Sequence, residues 1–257
     1  MLFDSHTHLN IEGASDAQRV KLVEEIEASD VSYVVDVGFD LESSALAAVN
    51  SERYPWCYAA VGYHPHDAAK MDETDLKMIR ALAAKPKVVA IGETGLDFYR
   101  DLSPRDVQRD CFRKQIRLAI EMNMPLVVHS RDADEETMNI LKSEEAFKAI
   151  RVLLHCYSGG KELARQYIKL GAMISIAGPI TYKNARKSVE VVTEMPIERL
   201  LIETDAPYLT PEPLRGRPNK VPYVEHTARK VAEIKGISYE DAARITCENA
   251  KRFYGID

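Results

Sequence analysis

The clearest chemistry in this sequence lies at six positions. His6 and His8 stand one residue apart in FDSHTHLN (3–10), while Glu93, His129, His155 and Asp205 each stand at or beside the end of a short apolar run. Imidazole nitrogens and carboxylate oxygens are ligands for divalent metals. An HxH pair alone is a weak signal, and any one of the other groups could be a satisfied core histidine or a helix cap. Together, four imidazoles and two carboxylates exceed what one four-coordinate ion can use. They predict a binuclear centre of two divalent cations, with Glu93 spanning both. His6, His8 and Asp205 would hold the first ion, and His129 and His155 the second. Four histidines suit zinc or manganese better than magnesium, which prefers oxygen ligands.

Two cations about 3.5–4 Å apart would lower the pKa of a water and clamp the oxygens of an in-line displacement. Asp205 would take that water's proton. Glu203 and Asp4 lie two residues before Asp205 and His6, so strand alternation predicts the same face one layer deeper. There either could orient a ligand histidine through its second ring nitrogen, and Glu203 could equally be a ligand itself. Arg131, two past His129, is expected to point inward above the second ion and touch phosphate. His64 follows the third apolar run at the same rim and is a further substrate-binding candidate. Lys183, Arg186 and Lys187 follow the seventh run, and Arg215, Arg217 and Lys220 the eighth. Tyr63, Phe98, Tyr99, Tyr157, Tyr182 and Tyr208 cluster after the runs, and one or two of them would serve as base-stacking platforms. Cys156, next to His155, is expected to face away and pack.

These groups need a frame that brings distant segments together. Eight runs read as strands: 2–6, 32–38, 57–64, 88–93, 126–130, 151–156, 172–178 and 200–205. Their near-continuous Val, Ile and Leu suit buried parallel strands. Helical stretches alternate with them. Asp72 precedes the amphipathic LKMIRALA; Ser103 and Pro104 open a helix that Asn123 and Pro125 end; Ser238 with Asp241 opens the last helix and Gly255 closes it. No composition break divides the 257 residues. The pattern predicts an α/β fold, a (β/α)8 TIM barrel in a single domain over 1–257. Active sites of such barrels are built at the C-terminal strand ends, where the histidines and carboxylates fall.

Composition excludes some classes. A net charge of −6 argues against coating long duplex nucleic acid by charge alone. No run approaches the eighteen or so apolar residues of a membrane span. MLFDSHTHLN has neither a basic n-region nor a long apolar h-region, so no secretory signal is expected. Four widely spaced cysteines without a CxxC read as reduced thiols, and the expected location is cytoplasmic.

The order of motifs resembles the TatD-related metal-dependent deoxyribonucleases along essentially the whole chain: HTHL at 6–9, GYHPH at 62–66, GETGLD at 92–97, HSRDA at 129–133, HCYSG at 155–159, ETDAPYLTP at 203–211 and RGRPN at 215–219. The resemblance implies a TIM barrel, Glu93 as bridging ligand and hydrolysis of nucleic-acid phosphodiesters, and it allows Mg²⁺ in turnover. Its usual form is trimming of single-stranded DNA from the 3′ end; the expected partner is the nucleic-acid substrate, with no obligate protein partner evident in the sequence. Barrels hydrolysing lactones, amides or phosphotriesters are a second reading, but they usually bridge their ions with a carbamylated lysine at the fourth strand, where this chain has Glu93. Removal of a D-amino acid mischarged onto tRNA is a third activity that the resemblance allows at the same site.

Overall fold

The computed structural model describes residues 1–10 and 16–256. All eight expected strands form: β1 (Leu2–Thr7), β2 (Val31–Val37), β3 (Cys57–Val61), β4 (Val88–Asp97), β5 (Leu126–Arg131), β6 (Val152–Leu154), β7 (Met173–Ile176) and β8 (Leu200–Ile202). They pair in parallel in chain order. The ends meet through backbone bonds from Asp205 N to the His6 carbonyl and from His8 N to the Ala206 carbonyl, both 2.9 Å. The eight-stranded barrel is thereby closed at the rim that carries the histidines.

Outside the strands run α1 (Asp16–Glu27), α2 (Leu41–Arg53), α3 (Glu73–Ala83), α4 (Arg105–Glu121), α5 (Asp134–Ser143), α6 (Ala146–Ala149), α7 (Lys161–Lys169), α8 (Arg186–Glu194), α9 (Val224–Lys235) and α10 (Tyr239–Tyr254). The apolar residues of the strands divide between two cores. One lies between barrel and helices, where Val34, Ile91, Val128 and Ile174 meet Ile79, Ile116 and Val231. The other collects Phe3, Val35, Ala60, Ala90, Val127, Leu153, Met173 and Leu201 with Phe253 and Tyr254 of α10. Strands buried on both faces have no need of alternation, which is why they read as continuous apolar runs. None of the helices among the described residues is long and apolar enough to cross a membrane.

The helix caps largely follow the sequence. The Asp72 carboxylate accepts from Thr74 N and Asp75 N at the start of α3. Ser238 accepts from Asp241 N at the start of α10, and Gly255 ends that helix at φ 72°. Ser103 differs. Pro104 occupies the cap position of α4 without a side-chain bond, and the Ser103 hydroxyl instead donates to the His66 carbonyl and accepts from Ala69 N. It ties the 3-10 turn Pro65–Lys70 to the loop after β4.

Strand lengths depart from expectation: β3 and β8 each stop three residues early, at Val61 and Ile202, β6 and β7 are also shorter, and β4 alone runs well past its expected end. β4 continues through GETGLD to Asp97, four residues past its expected end at Glu93. Gly95 lets it do so: at φ 145° it lies against β5, and a Cβ there would sit 1.9 Å from the His129 carbonyl oxygen. Gly95→Ala is therefore expected to cost at least about 3 kcal/mol, read as a lower urea midpoint. An unchanged midpoint would show that β4 and β5 can part without penalty.

Candidate metal centre

Glu93 sits where the β4–β5 register shifts, between Ile91 and Thr94. A bulge of this kind re-aims a side chain, and here the carboxylate, 4% exposed, points into the cluster of histidines. Its two oxygens face different groups. Oε1 lies 3.6 Å from His6 Nε2 and 3.5 Å from His8 Nε2. Asp205 Oδ1 completes that set at 3.8 and 3.4 Å from the same two nitrogens. Oε2 lies 2.8 Å from His155 Nε2, 3.6 Å from His129 Nδ1 and 3.9 Å from His64 Nε2.

These spacings fit metal ions. Four ligands at zinc-like distances of 2.0–2.1 Å on a tetrahedron stand about 3.4 Å apart, close to the separations around Oε1. His6 supplies an independent test. It is fully buried, and neither of its ring nitrogens has a hydrogen-bond partner. Orphaned buried nitrogens are costly unless something fills the role of partner. The groupings His6–His8–Glu93, His64–Glu93–His129 and His6–His155–Glu203 are each tight enough to hold a cation.

Hydrogen bonds away from the centre assign the lone pairs. His8 Nδ1 lies 2.8 Å from the Val37 carbonyl, so it donates there and leaves Nε2 free to ligate. His129 Nε2 lies 3.2 Å from Asp97 Oδ2, so it carries the proton and Nδ1 faces His155 and Glu93. His64 is the reverse case. Its Nδ1 accepts from His66 N, which puts the proton on Nε2 and makes that atom a donor, 3.9 Å from Glu93 Oε2.

Charge balance inside the cluster is strongly coupled. Burial pushes the Glu93 carboxyl up, but the imidazoles of His155, His64 and His6 together hold it well below the usual range. Burial lowers His6, aided by His155, and keeps it in the neutral form that binds metal. Burial likewise depresses His64, with His129 adding to it.

The structure sorts the remaining expected residues. Glu203 is fully buried with Oε1 3.5 Å from His155 Nδ1, while Oε2 accepts from Ser175. Asp4 is not turned toward a ring. The β1 register shifts between Asp4 and Thr7, so strict alternation fails just before His6. The Asp4 carboxylate instead binds Thr204 N and Thr204 Oγ1, and the His6 backbone N–H at 3.4 Å. Burial pushes its pKa up to about 8. Arg131 reaches the mouth but not inward: its guanidinium is exposed and lies over the Tyr99 ring, 3.9 Å from the centroid. Cys156 does not follow the alternation that turned it outward. β6 ends at Leu154 and residue 156 adopts φ 45°. Its thiol is pushed up by burial and by the carboxylates of Glu203, Asp205 and Glu93. Lys220 is paired with Glu25 at 2.6 Å, and Arg186 with Glu190 at 3.0 Å.

Two residues of the site, Asp97 and His66, escaped sequence reading. Asp97 is fully buried, and its Oδ2 is shared by His129 Nε2 and by His66 Nε2 at 2.9 Å. Its Oδ1 accepts from Tyr99 N and Arg100 N. Both histidine bonds pull Asp97 below the normal carboxylate range despite burial. The only signal for it was the carboxylate of GETGLD, four residues after Glu93 and thus on the same strand once Gly95 is allowed inside it.

A (β/α)8 barrel with imidazoles and carboxylates gathered at the C-terminal strand ends is the framework of a metal-dependent hydrolase. Comparison with known proteins agrees. Residues 3–255 match the family described as TatD related DNase. The chain is 48% identical to the uncharacterized metal-dependent hydrolase YabD of Bacillus subtilis, covering all of both chains. It is 36% identical to a 3′-5′ ssDNA/RNA exonuclease TatD of Escherichia fergusonii, over 89% of this chain and 90% of that one. Among solved structures, the TatD homologue YJJV of Escherichia coli superposes with a TM-score of 0.92 at 26% identity, covering 100% of this chain and 98% of that one. This chain belongs to the TatD-related DNase family.

Proposed function

We propose that this metal-dependent hydrolase is a 3′–5′ exonuclease acting on single-stranded nucleic acid, DNA foremost. The observation that carries the reading is the division of Glu93, whose Oε1 faces His6, His8 and Asp205 while Oε2 faces His129 and His155. We assign those six residues as ligands of two divalent ions, zinc, manganese or magnesium. Glu203 is the outer partner of His155. When bound, such a pair lowers the pKa of a water and offsets the charge of a phosphodiester.

The chain's own groups supply the rest. Asp205, 15% exposed at its side chain, faces the mouth and is the acceptor for the proton of the attacking water. The water oxygen forms a bond to phosphorus as the bond to the leaving sugar oxygen breaks, and that oxygen is protonated from solvent. His64 donates from Nε2 to a phosphate oxygen, and Arg131 holds a neighbouring one. The name of the Escherichia fergusonii relative supports the substrate class.

The test strips the protein with a chelator and adds back Mg²⁺, Mn²⁺ or Zn²⁺. It then offers 5′-labelled single-stranded DNA beside small ester, lactone and phosphotriester substrates. Stepwise shortening from the 3′ end, absent without metal, is expected. DNA left intact under every ion while a small substrate turns over would reject the nuclease. Arg131→Ala is expected to lower kcat/KM on DNA about tenfold or more, the worth of a charged hydrogen bond, with metal content unchanged. Loss of metal in that variant would mean that Arg131 supports the ligands instead.

A further inference from the structure

Of the six aromatic rings after the strands, the structure disqualifies four as open platforms. Tyr63 and Tyr157 are buried. Phe98 packs on the core with Arg105 above its ring, and Tyr182 lies beneath Arg215 with its hydroxyl bound to the Thr210 carbonyl. Tyr99 and Tyr208 remain, each 61% exposed, although Arg131 covers one face of the Tyr99 ring and leaves the other open. Tyr99 follows β4 and Tyr208 follows β8, which the strand order places on opposite sides of the barrel mouth. Each is tied to the centre: the Tyr99 backbone is bound to Asp97, which also holds His129, and the Tyr208 ring meets His8 edge-on with centroids 6.2 Å apart.

Their backbones are pinned although their rings are open. Tyr99 N donates to Asp97. Tyr208 N donates to the Asp205 carbonyl, and the Tyr208 carbonyl accepts from Asn219 Nδ2 at 2.6 Å. What sets these two rings apart is position: both stand open at the rim that carries the histidines, where a ligand would meet them. We propose that Tyr99 and Tyr208 are paired stacking platforms that hold the nucleobases on either side of the phosphodiester lying over Glu93. The ligand is a single strand, whose unpaired bases can turn onto a ring, and Arg131, stacked over the Tyr99 ring at the mouth, meets the anionic backbone. This inference rests on the nuclease reading and adds where the strand is gripped.

The test compares a short thymidylate strand with an abasic strand of the same phosphate length, using Mn²⁺-loaded protein. Wild type is expected to cleave the base-bearing strand with the lower KM. Tyr99→Ala and Tyr208→Ala should each raise that KM about tenfold, the worth of one stacked base, and the double variant should lose the preference over the abasic strand. Tyr99→Trp and Tyr208→Trp should restore KM, which a merely steric role would not do. A 2-aminopurine placed at the 3′ end should be quenched on binding to wild type, and less so in the alanine variants. Equal KM for the two strands in wild type, or alanine variants indistinguishable from it, would overturn the platforms while leaving the nuclease intact. Failure to cleave either strand while a small ester or lactone is hydrolysed would instead remove the nuclease reading itself. In that case exposed rings flanking the mouth would be a surface for a different partner.

Discussion

Glu93→Ala is expected to strip metal from both halves of the centre at once and to lower DNA hydrolysis by at least about a thousandfold. The size follows from several kcal/mol of charge stabilisation supplied by bound cations. The simultaneity follows from geometry: Oε1 belongs to the His6–His8–Asp205 set and Oε2 to the His129–His155 set. His8→Ala, by contrast, removes a donor from one set and should leave the other able to bind. Metal per chain, measured after dialysis, separates the two variants, and circular dichroism checks that the barrel persists. If Glu93→Ala kept wild-type metal content, the carboxylate would not be the shared ligand. The assignment of two ions around it would then fall, whatever happened to activity.

The barrel was largely legible because its strands are buried on both faces. Val34, Val127, Leu153 and Leu201 can be read without knowing which way each points. The cluster of histidines and carboxylates was legible for a related reason: His129, His155 and Asp205 follow the last apolar residue of their strands, and the fold brings those ends together. What failed depends on local departures from regularity. Asp4 was placed by alternation, and the register shift after it removed that basis. Cys156 was turned outward by the same rule, which does not extend past Leu154. Ser103 looked like a cap because Ser-Pro often starts helices, yet its hydroxyl is engaged by the His66 carbonyl and Ala69 N across the loop. The aromatic residues could be counted but not sorted, because exposure is settled by neighbours from other segments. Arg215 over Tyr182 and Arg105 over Phe98 come from such loops and helices.

Asp97 shows the same limit and yields the second large effect. Read as loop, it had no role; as the last residue of β4 it accepts four hydrogen bonds, two from rings and two from backbone amides. An asparagine in its place offers one acceptor oxygen, and its amide group must then face either the two backbone N–H groups or the two ring N–H groups. Facing the rings, it favours the His129 tautomer with the proton on Nδ1, the atom that points at His155 and Glu93. That nitrogen then has no lone pair for a metal. Facing the amides, it releases the turn that holds Tyr99 and Arg100. Asp97→Asn is therefore expected to weaken the ion held by His129 by about 10–100-fold, the usual cost of losing an outer partner of a ligand histidine. The ion held by His6, His8 and Asp205 should be retained. Competition with a metal-sensitive dye reads the two affinities separately, as one weakened step and one unchanged. Two unchanged steps would show that His129 keeps its ligating tautomer without Asp97. Loss of both steps together would mean that Asp97 supports the whole mouth of the barrel rather than one ring.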